Sequence, residues 1–194
     1  MIDVQTARSK LFNYISTQID VDSQLLRKFV DYFELEHHSK KDIIISEKAN
    51  IDKVSFIISG LVRIYYVKEE KEITTWLLPE NNFFMPVYHI FTKNNNYNTY
   101  EALEDTITLH TTYSKMEEVY TTDIQLERMG RLLVQRYYSH FLHHSYNVLF
   151  LSAEERYKLF VEGNPELLNR VPLKYIASYL GIKQETLSRI RSIR

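Results

Sequence analysis

The chain has 194 residues, 24 Lys and Arg against 25 Asp and Glu for a formal net charge of −1, and 44% hydrophobic residues. That balance suits a soluble globular protein with room for a larger and a smaller domain, and no run is apolar enough to cross a bilayer. The absence of cysteine excludes disulfides, thiolate zinc sites, cysteine-held iron–sulfur clusters and thiol nucleophiles.

The first ten residues lack the apolar core of a signal peptide, so a cytoplasmic location is expected. Residues from about 5 to 32 place Leu11, Tyr14, Ile15 and Ile19, then Leu25, Leu26, Phe29 and Val30, at helical spacing. Between about Phe33 and Thr112 the period shortens to two. Ile43–Ile45, Val54–Ile58, Leu61–Tyr66, Ile73–Leu78 and Ile107–Thr111 are short β-rich runs, which predict an antiparallel roll. Ser59-Gly60 reads as a hairpin turn, and Lys68-Glu69-Glu70-Lys71 as a second, charged one. Only four glycines but fifteen tyrosines and ten phenylalanines occur, so packing is expected to be aromatic.

Helical spacing returns after Ser114. Asp123 to about Leu149 carries no proline and a broad apolar stripe, which predicts one long helix in need of a partner. Met129, Leu133, Tyr137 and Phe141 are the residues expected along a two-fold seam with a second copy. Ser152-Ala-Glu-Glu155 has the pattern of a capping box at the start of the next helix.

The segment Leu173 to Arg191 reads as a helix-turn-helix. Ile176, Leu180, Leu187 and Ile190 fall on inward faces, Ala177 is small where two helices cross, and Gly181 sits at the turn. Lys183, Gln184, Glu185, Thr186, Ser188 and Arg189 are left to project outward, side-chain types that reach phosphates and base edges. From Arg170 onward six basic residues stand against one acidic, 6 − 1 = +5, leaving −6 for everything before. A basic reading head on an acidic body is the footprint of a protein that binds double-stranded DNA.

The order of these elements, with Phe56-Ile-Ile-Ser-Gly-Leu-Val-Arg63 in the roll and Gln184-Glu-Thr-Leu-Ser-Arg189 in the reading helix, resembles the Crp/Fnr family of bacterial transcription regulators. The resemblance implies an α+β fold. An antiparallel, jelly-roll-like sensor of cyclic-nucleotide-binding type would occupy residues 1–122, a long dimerisation helix 123–150, and a helix-turn-helix domain 151–194. It also implies a homodimer on a palindromic promoter site, with RNA polymerase as a further partner. In the reading helix it implies Arg189 on a guanine edge, Glu185 accepting from a cytosine amino group, and Gln184 where the family commonly has arginine. No β-hairpin wing follows the reading helix in this sequence, which predicts fewer backbone contacts.

The sensor half departs from the family. Its phosphate cassette carries Gly-Glu and then Arg-Ser or Arg-Thr, where this chain has Met85-Pro86 and Asn96-Tyr97; the adenine-reading hydroxyl pair falls near Phe141 and Leu142. Without a cation a buried phosphate is costly, so cyclic AMP is not expected in the usual mode. Lys93 offers a displaced cation, and Trp76, Phe83, Phe84, Tyr97 and Tyr100 either line a pocket for a more apolar effector or fill the roll. The alternative function is a regulator that answers a nucleotide or other small molecule through a divergent pocket. His140 and His144 lie one helical turn apart with no third ligand at a fixed offset, so neither metal nor cofactor is expected. The chain shows no nucleophile elbow, phosphate loop or paired metal motif, and an enzyme is not expected.

Overall fold

A computed structural model describes residues 2–49 and 51–192. The expected N-terminal helical stretch is two helices, α1 (Val4–Gln18) and α2 (Ser23–Asp31). Ile19 leaves the helix in an extended conformation, and the Asp22 carboxylate accepts the Gln24 and Leu25 N–H groups to start the second helix. Competition from that local cap overrides the apolar spacing that runs across the break.

Eight strands follow: β1 (Glu34–His38), β2 (Ile43–Ile45), β3 (Lys53–Ser59), β4 (Val62–Lys68), β5 (Lys71–Leu78), β6 (Phe83–Phe84), β7 (Thr99–Ala102) and β8 (Thr106–Thr112). They form two antiparallel four-stranded sheets, ordered β1-β8-β3-β6 and β2-β7-β4-β5. This is the expected antiparallel roll, and the fold is α+β. One turn differs from the expectation. Ser59-Gly60 does not close a hairpin, because β3 pairs with β6 and β8 while β4 pairs with β5 and β7. It carries the chain from one sheet to the other. Gly60 has φ +103°, and a Cβ there would lie 2.4 Å from Thr106 Oγ1 and 2.6 Å from its Cα. Two sheets can touch at that corner only where there is no side chain. The charged turn is a true hairpin: Lys68 pairs with Lys71, and Glu69 and Glu70 both have positive φ.

Between β6 and β7 lies a short helix, α3 (Val87–Thr92). After β8 come α4 (Tyr113–Tyr120) and the long α5 (Ile124–Phe150), 27 residues capped by Asp123. At 1.5 Å per residue α5 spans about 40 Å. Its first turns close the main core: Leu126 and Met129 pack with Leu11, Ile15, Leu26, Phe29, Phe33, Phe56 and Leu109. Gly130 lets Tyr120 lie directly on the helix, where a Cβ would come within 2.6 Å of the tyrosine ring.

Four helices complete the described residues: α6 (Ala153–Gly163), α7 (Leu167–Arg170), α8 (Leu173–Tyr179) and α9 (Gln184–Ser192). The capping box forms as expected, with the Ser152 hydroxyl accepting the Glu155 N–H and the Glu155 carboxylate accepting the Ser152 N–H. The buried core here is Tyr157, Phe160, Leu167, Val171, Ile176, Ala177, Leu180, Leu187 and Ile190, and it includes Leu61, Leu77 and Leu103 from the roll. These helices are therefore seated on the roll.

Candidate nucleic-acid interface and effector pocket

The turn between α8 and α9 is built from local rules. Gly181 has φ +65°, its N–H donates to the Ser178 carbonyl at 3.1 Å, and the Ile182 N–H donates to the Ala177 carbonyl at 3.0 Å. That pair of bonds is a Schellman motif, which satisfies carbonyls the ending helix leaves free. Ile176 and Leu187 are completely buried and Ala177 nearly so. The inward set expected from the sequence is the set observed.

Burying that set fixes the opposite face. Lys183, Gln184, Glu185, Ser188 and Arg189 are exposed and Thr186 is half-buried. Among the described residues none of Lys183, Glu185 and Arg189 enters an ion pair. The six candidate residues thus lie on one turn and the first two turns of α9. The N-terminus of that helix also faces outward, where free N–H groups and the helix dipole favour a phosphate. Of the basic residues counted in this segment, Arg170 does not belong to this face: it is bound to carboxylates of the roll, at 2.9 Å to Glu80 and 2.6 Å to Glu104. Arg194 lies outside the described residues.

The seam residues separate. Met129 is fully buried in its own core, Leu133 packs on that core, and Tyr137 stacks on Trp76 with ring centroids 5.2 Å apart. Burial pushes the Tyr137 hydroxyl up to about 12. Only Phe141, 47% exposed, faces outward. The cause is helical geometry: each step of four residues turns about 400°, so the stripe rotates by about 120° from Met129 to Phe141 and cannot stay on one line. Val134, Tyr138, Phe141 and Val148 do stay on one line, and all four are exposed. Their spacing of four, three and seven is the 3.5-residue repeat of a coiled-coil seam, a signal present in the sequence.

The five aromatic residues of the expected effector pocket are divided among different surroundings. Phe83 packs on Phe56 and Tyr14, with centroids at 4.7 and 6.5 Å. Phe84 and Tyr100 stack at 5.7 Å in the core between the two sheets with Ile45, Ile57 and Val62. Trp76 lies against α5, and Tyr97 is 61% exposed beside Tyr88. Phe83, Phe84 and Tyr100 fill the roll, Trp76 packs at its margin and Tyr97 lies on the surface. Two surface cavities, of about 330 and 240 Å³, lie between α1 and α2 and between α2 and the α4–α5 junction, away from all five.

The cassette positions are occupied by the chain's own groups. The buried Tyr100 hydroxyl donates to the Met85 carbonyl at 2.8 Å, and desolvation holds its pKa far above the usual phenol range. Pro86 caps α3 and offers no N–H to an anion. Asn96 is fully buried: its amide donates to the Ser46 and Asn98 carbonyls, at 3.1 and 2.6 Å, and its side-chain oxygen accepts the Asn98 N–H at 3.2 Å. These bonds tie the segment to itself, to β7 and, through Ser46, to the residue after β2. Lys93, the displaced cation of the sequence reading, is an exposed left-handed cap of α3.

His144 stacks on Tyr179 at 4.4 Å and meets Trp76 at 6.2 Å, and burial followed by the nearby Arg156 charge lowers its pKa. Among the described residues no group of three His, Cys, Asp or Glu is placed to hold a metal. No helix among them is long and apolar enough to cross a membrane.

Residues 35–123 match the family model of the cyclic nucleotide-binding domain. No curated protein matches the sequence. Among solved structures, FixK2 from Bradyrhizobium japonicum superposes with a TM-score of 0.72 at 20% identity, over 82% of this chain and 83% of that one. A transcriptional regulator of the Crp/Fnr family from Eubacterium rectale gives 0.68 at 17% identity, over 92% and 85%. The catabolite activator protein of Thermus thermophilus gives 0.55 at 17% identity, over 93% and 85%. The chain has the fold of Crp/Fnr-type transcription regulators, with a cyclic nucleotide-binding-type roll at its centre.

Proposed function

We propose that this protein is a dimeric, sequence-specific DNA-binding transcription regulator of the Crp/Fnr type, a cytoplasmic binding protein rather than an enzyme. The observation that carries the reading is the α8–α9 unit: a closed apolar core beneath a polar face whose Lys183, Glu185 and Arg189 enter no ion pair among the described residues. Arg189 would read a guanine edge, Glu185 would accept from a cytosine amino group, and Lys183 would hold a phosphate. One reading helix covers a half-site, so a palindromic promoter site needs two copies. The exposed line Val134, Tyr138, Phe141 and Val148 on α5 is the seam that would join them, in place of the inward-turned Met129, Leu133 and Tyr137. RNA polymerase would be the partner of the bound dimer.

The roll would not take a cyclic nucleotide in the usual mode. A phosphate needs free N–H groups and a cation, and here Tyr100, Pro86 and Asn96 stand in their place. A second reading, in which another small molecule is sensed at this roll, draws its support from the match of residues 35–123 to the cyclic nucleotide-binding domain.

Selection of duplexes from a random pool tests the leading reading. The expected result is enrichment of a two-fold symmetric sequence by a dimer of 23.2 kDa chains seen in light scattering, with Phe141→Glu yielding monomers that no longer retain it. A wild-type chain that enriches no sequence, or a symmetric site bound tightly by a monomer, would defeat it.

A further inference from the structure

The surface between the helix-turn-helix and the roll carries two arginines, one from each side. Arg63 of β4 is 1% exposed. Its guanidinium donates to Thr74 Oγ1 at 3.0 Å, to Glu72 at 2.7 Å and to Glu101 at 3.3 Å, and it lies 3.6 Å from the ring centroid of Tyr175 on α8 and 4.2 Å from that of Tyr65. A lone arginine within the apolar run Leu61-Val62-Arg63-Ile64 is thus stacked on the first helix of the DNA-binding unit.

Arg170, at the end of α7, makes the reciprocal contact. It forks onto both oxygens of Glu80, at 2.9 and 3.0 Å, reaches Glu104 at 2.6 and 3.4 Å, and donates to the Gly60 carbonyl at 3.1 Å. Burial alone would raise the Glu80 carboxyl; the Arg170 hydrogen bonds reverse this and hold it lowered. A third link runs from backbone to side chain, where the Thr74 N–H of β5 donates to Ser178 Oγ of α8 at 2.9 Å. Planar, two-carboxylate pairing fixes orientation as well as distance, which a lysine at the same place would not do.

We infer that Arg170 is a positioning residue for DNA reading: through Glu80 and Glu104 it locks the helix-turn-helix to the roll, and so sets the distance between the two reading helices of a dimer. This rests on the DNA-binding reading above. The geometry is consistent with the lack of a free cassette, because a unit already fastened to its roll needs no ligand to orient it. Two half-sites are engaged together only when their separation matches the span of the protein, and rigidity makes that match narrow.

The experiment uses the full-length chain and duplexes carrying two selected half-sites at separations increased one base pair at a time. The wild type is expected to favour one separation by roughly a hundredfold over those half a helical turn away. In Arg170→Gln the preference falls to about tenfold or less, while affinity for a single half-site is unchanged. Glu80→Gln and Glu104→Gln, whose side chains sit on the roll, reproduce the loss, and hydrogen exchange at the Thr74 amide accelerates in all three. Should Arg170→Gln fail to fold, the two roll variants carry the test. Sharp spacing kept by the variants that fold would overturn the inference. So would an Arg170→Gln chain that weakens on single half-sites with a shallower salt dependence while the roll variants behave as wild type, since Arg170 would then be a phosphate contact. A wild type that binds no duplex would instead remove the DNA-binding reading itself.

Discussion

The α8–α9 unit and the cassette between β6 and β7 reach their structures by opposite routes. In the first, each level agrees: apolar spacing, a glycine where positive φ is needed, and polar residues on the face left over. In the second, Met85-Pro86 and Asn96-Tyr97 stand where the family resemblance expects an anion cassette, and bonds within the chain take up the Tyr100 and Asn96 polar groups. Tyr100 turns inward onto Met85, and Asn96 spends its amide on the loop that holds it. A short contiguous motif can be built by its own sequence, whereas a pocket exists only if distant segments leave space between them. The roll keeps its sheets, and at this segment Tyr100 and Asn96 bond to the chain itself.

Glycine substitutions give the sharpest contrast. Gly60→Ala combines positive φ with contacts of 2.4–2.8 Å to Thr106 and the Asp105 carbonyl, so a loss of about 3 kcal/mol or more is expected in chemical denaturation. At Gly181 the φ is also positive, but the nearest atom to a new Cβ is Val148 Cγ1 at 3.9 Å. Only the conformational cost remains, about 1–2 kcal/mol for Gly181→Ala. Equal losses at the two sites would show that the roll corner is no tighter than the local turn.

On the DNA side, Arg189→Ala is expected to cost about 1–3 kcal/mol of specific binding and to relax discrimination at one base position, while Lys183→Ala weakens all sequences alike. Selection from a random library separates the two effects. Substitutions that leave the selected sequence unaltered would remove the reading role from α9.

A smaller effect belongs to pH. Burial, the leading cause, holds His38, His110 and His144 below their ordinary 6.5. A folded-state pKa below the unfolded one means the fold favours the neutral ring. That stabilisation is complete above about 6.5 and is lost as pH falls through that value toward the folded pKa values. Tm measured at pH 7.5 is therefore expected to exceed Tm at pH 5.5. A higher Tm in acid would contradict the burial of these rings.

For the cassette the expected effect is none. Cyclic AMP or cyclic GMP at millimolar concentration should leave the fluorescence of Trp76, the single tryptophan, and the affinity for DNA unaltered. A saturable response in both would restore the effector site and favour the second reading.

Much was legible in the sequence because it is local. The capping box at Ser152, the long α5 and the inward and outward faces of α8 and α9 all follow from spacing and cap chemistry acting within a few residues. Strands β1, β6 and β7 were not legible: they are short, and Glu34–His38 carries mixed polar residues whose strand form comes from pairing with β8. The Ser59-Gly60 turn was misread for the same reason, since local preference marks a turn but not the sheet that receives the next strand.

What the sequence by itself determined is the class of fold and which side chains the α8–α9 unit leaves exposed. What only the tertiary structure decided is which way each long-range surface points. Four-residue spacing on α5 placed Met129, Leu133 and Tyr137 on a seam with Phe141. The roll instead claims the first three, because a helix face turns with every residue and the side that buries most apolar area wins. The same holds for Arg170, counted in the positive charge of the C-terminal segment and in fact held by Glu80 and Glu104, since net charge does not record where the nearest carboxylate lies.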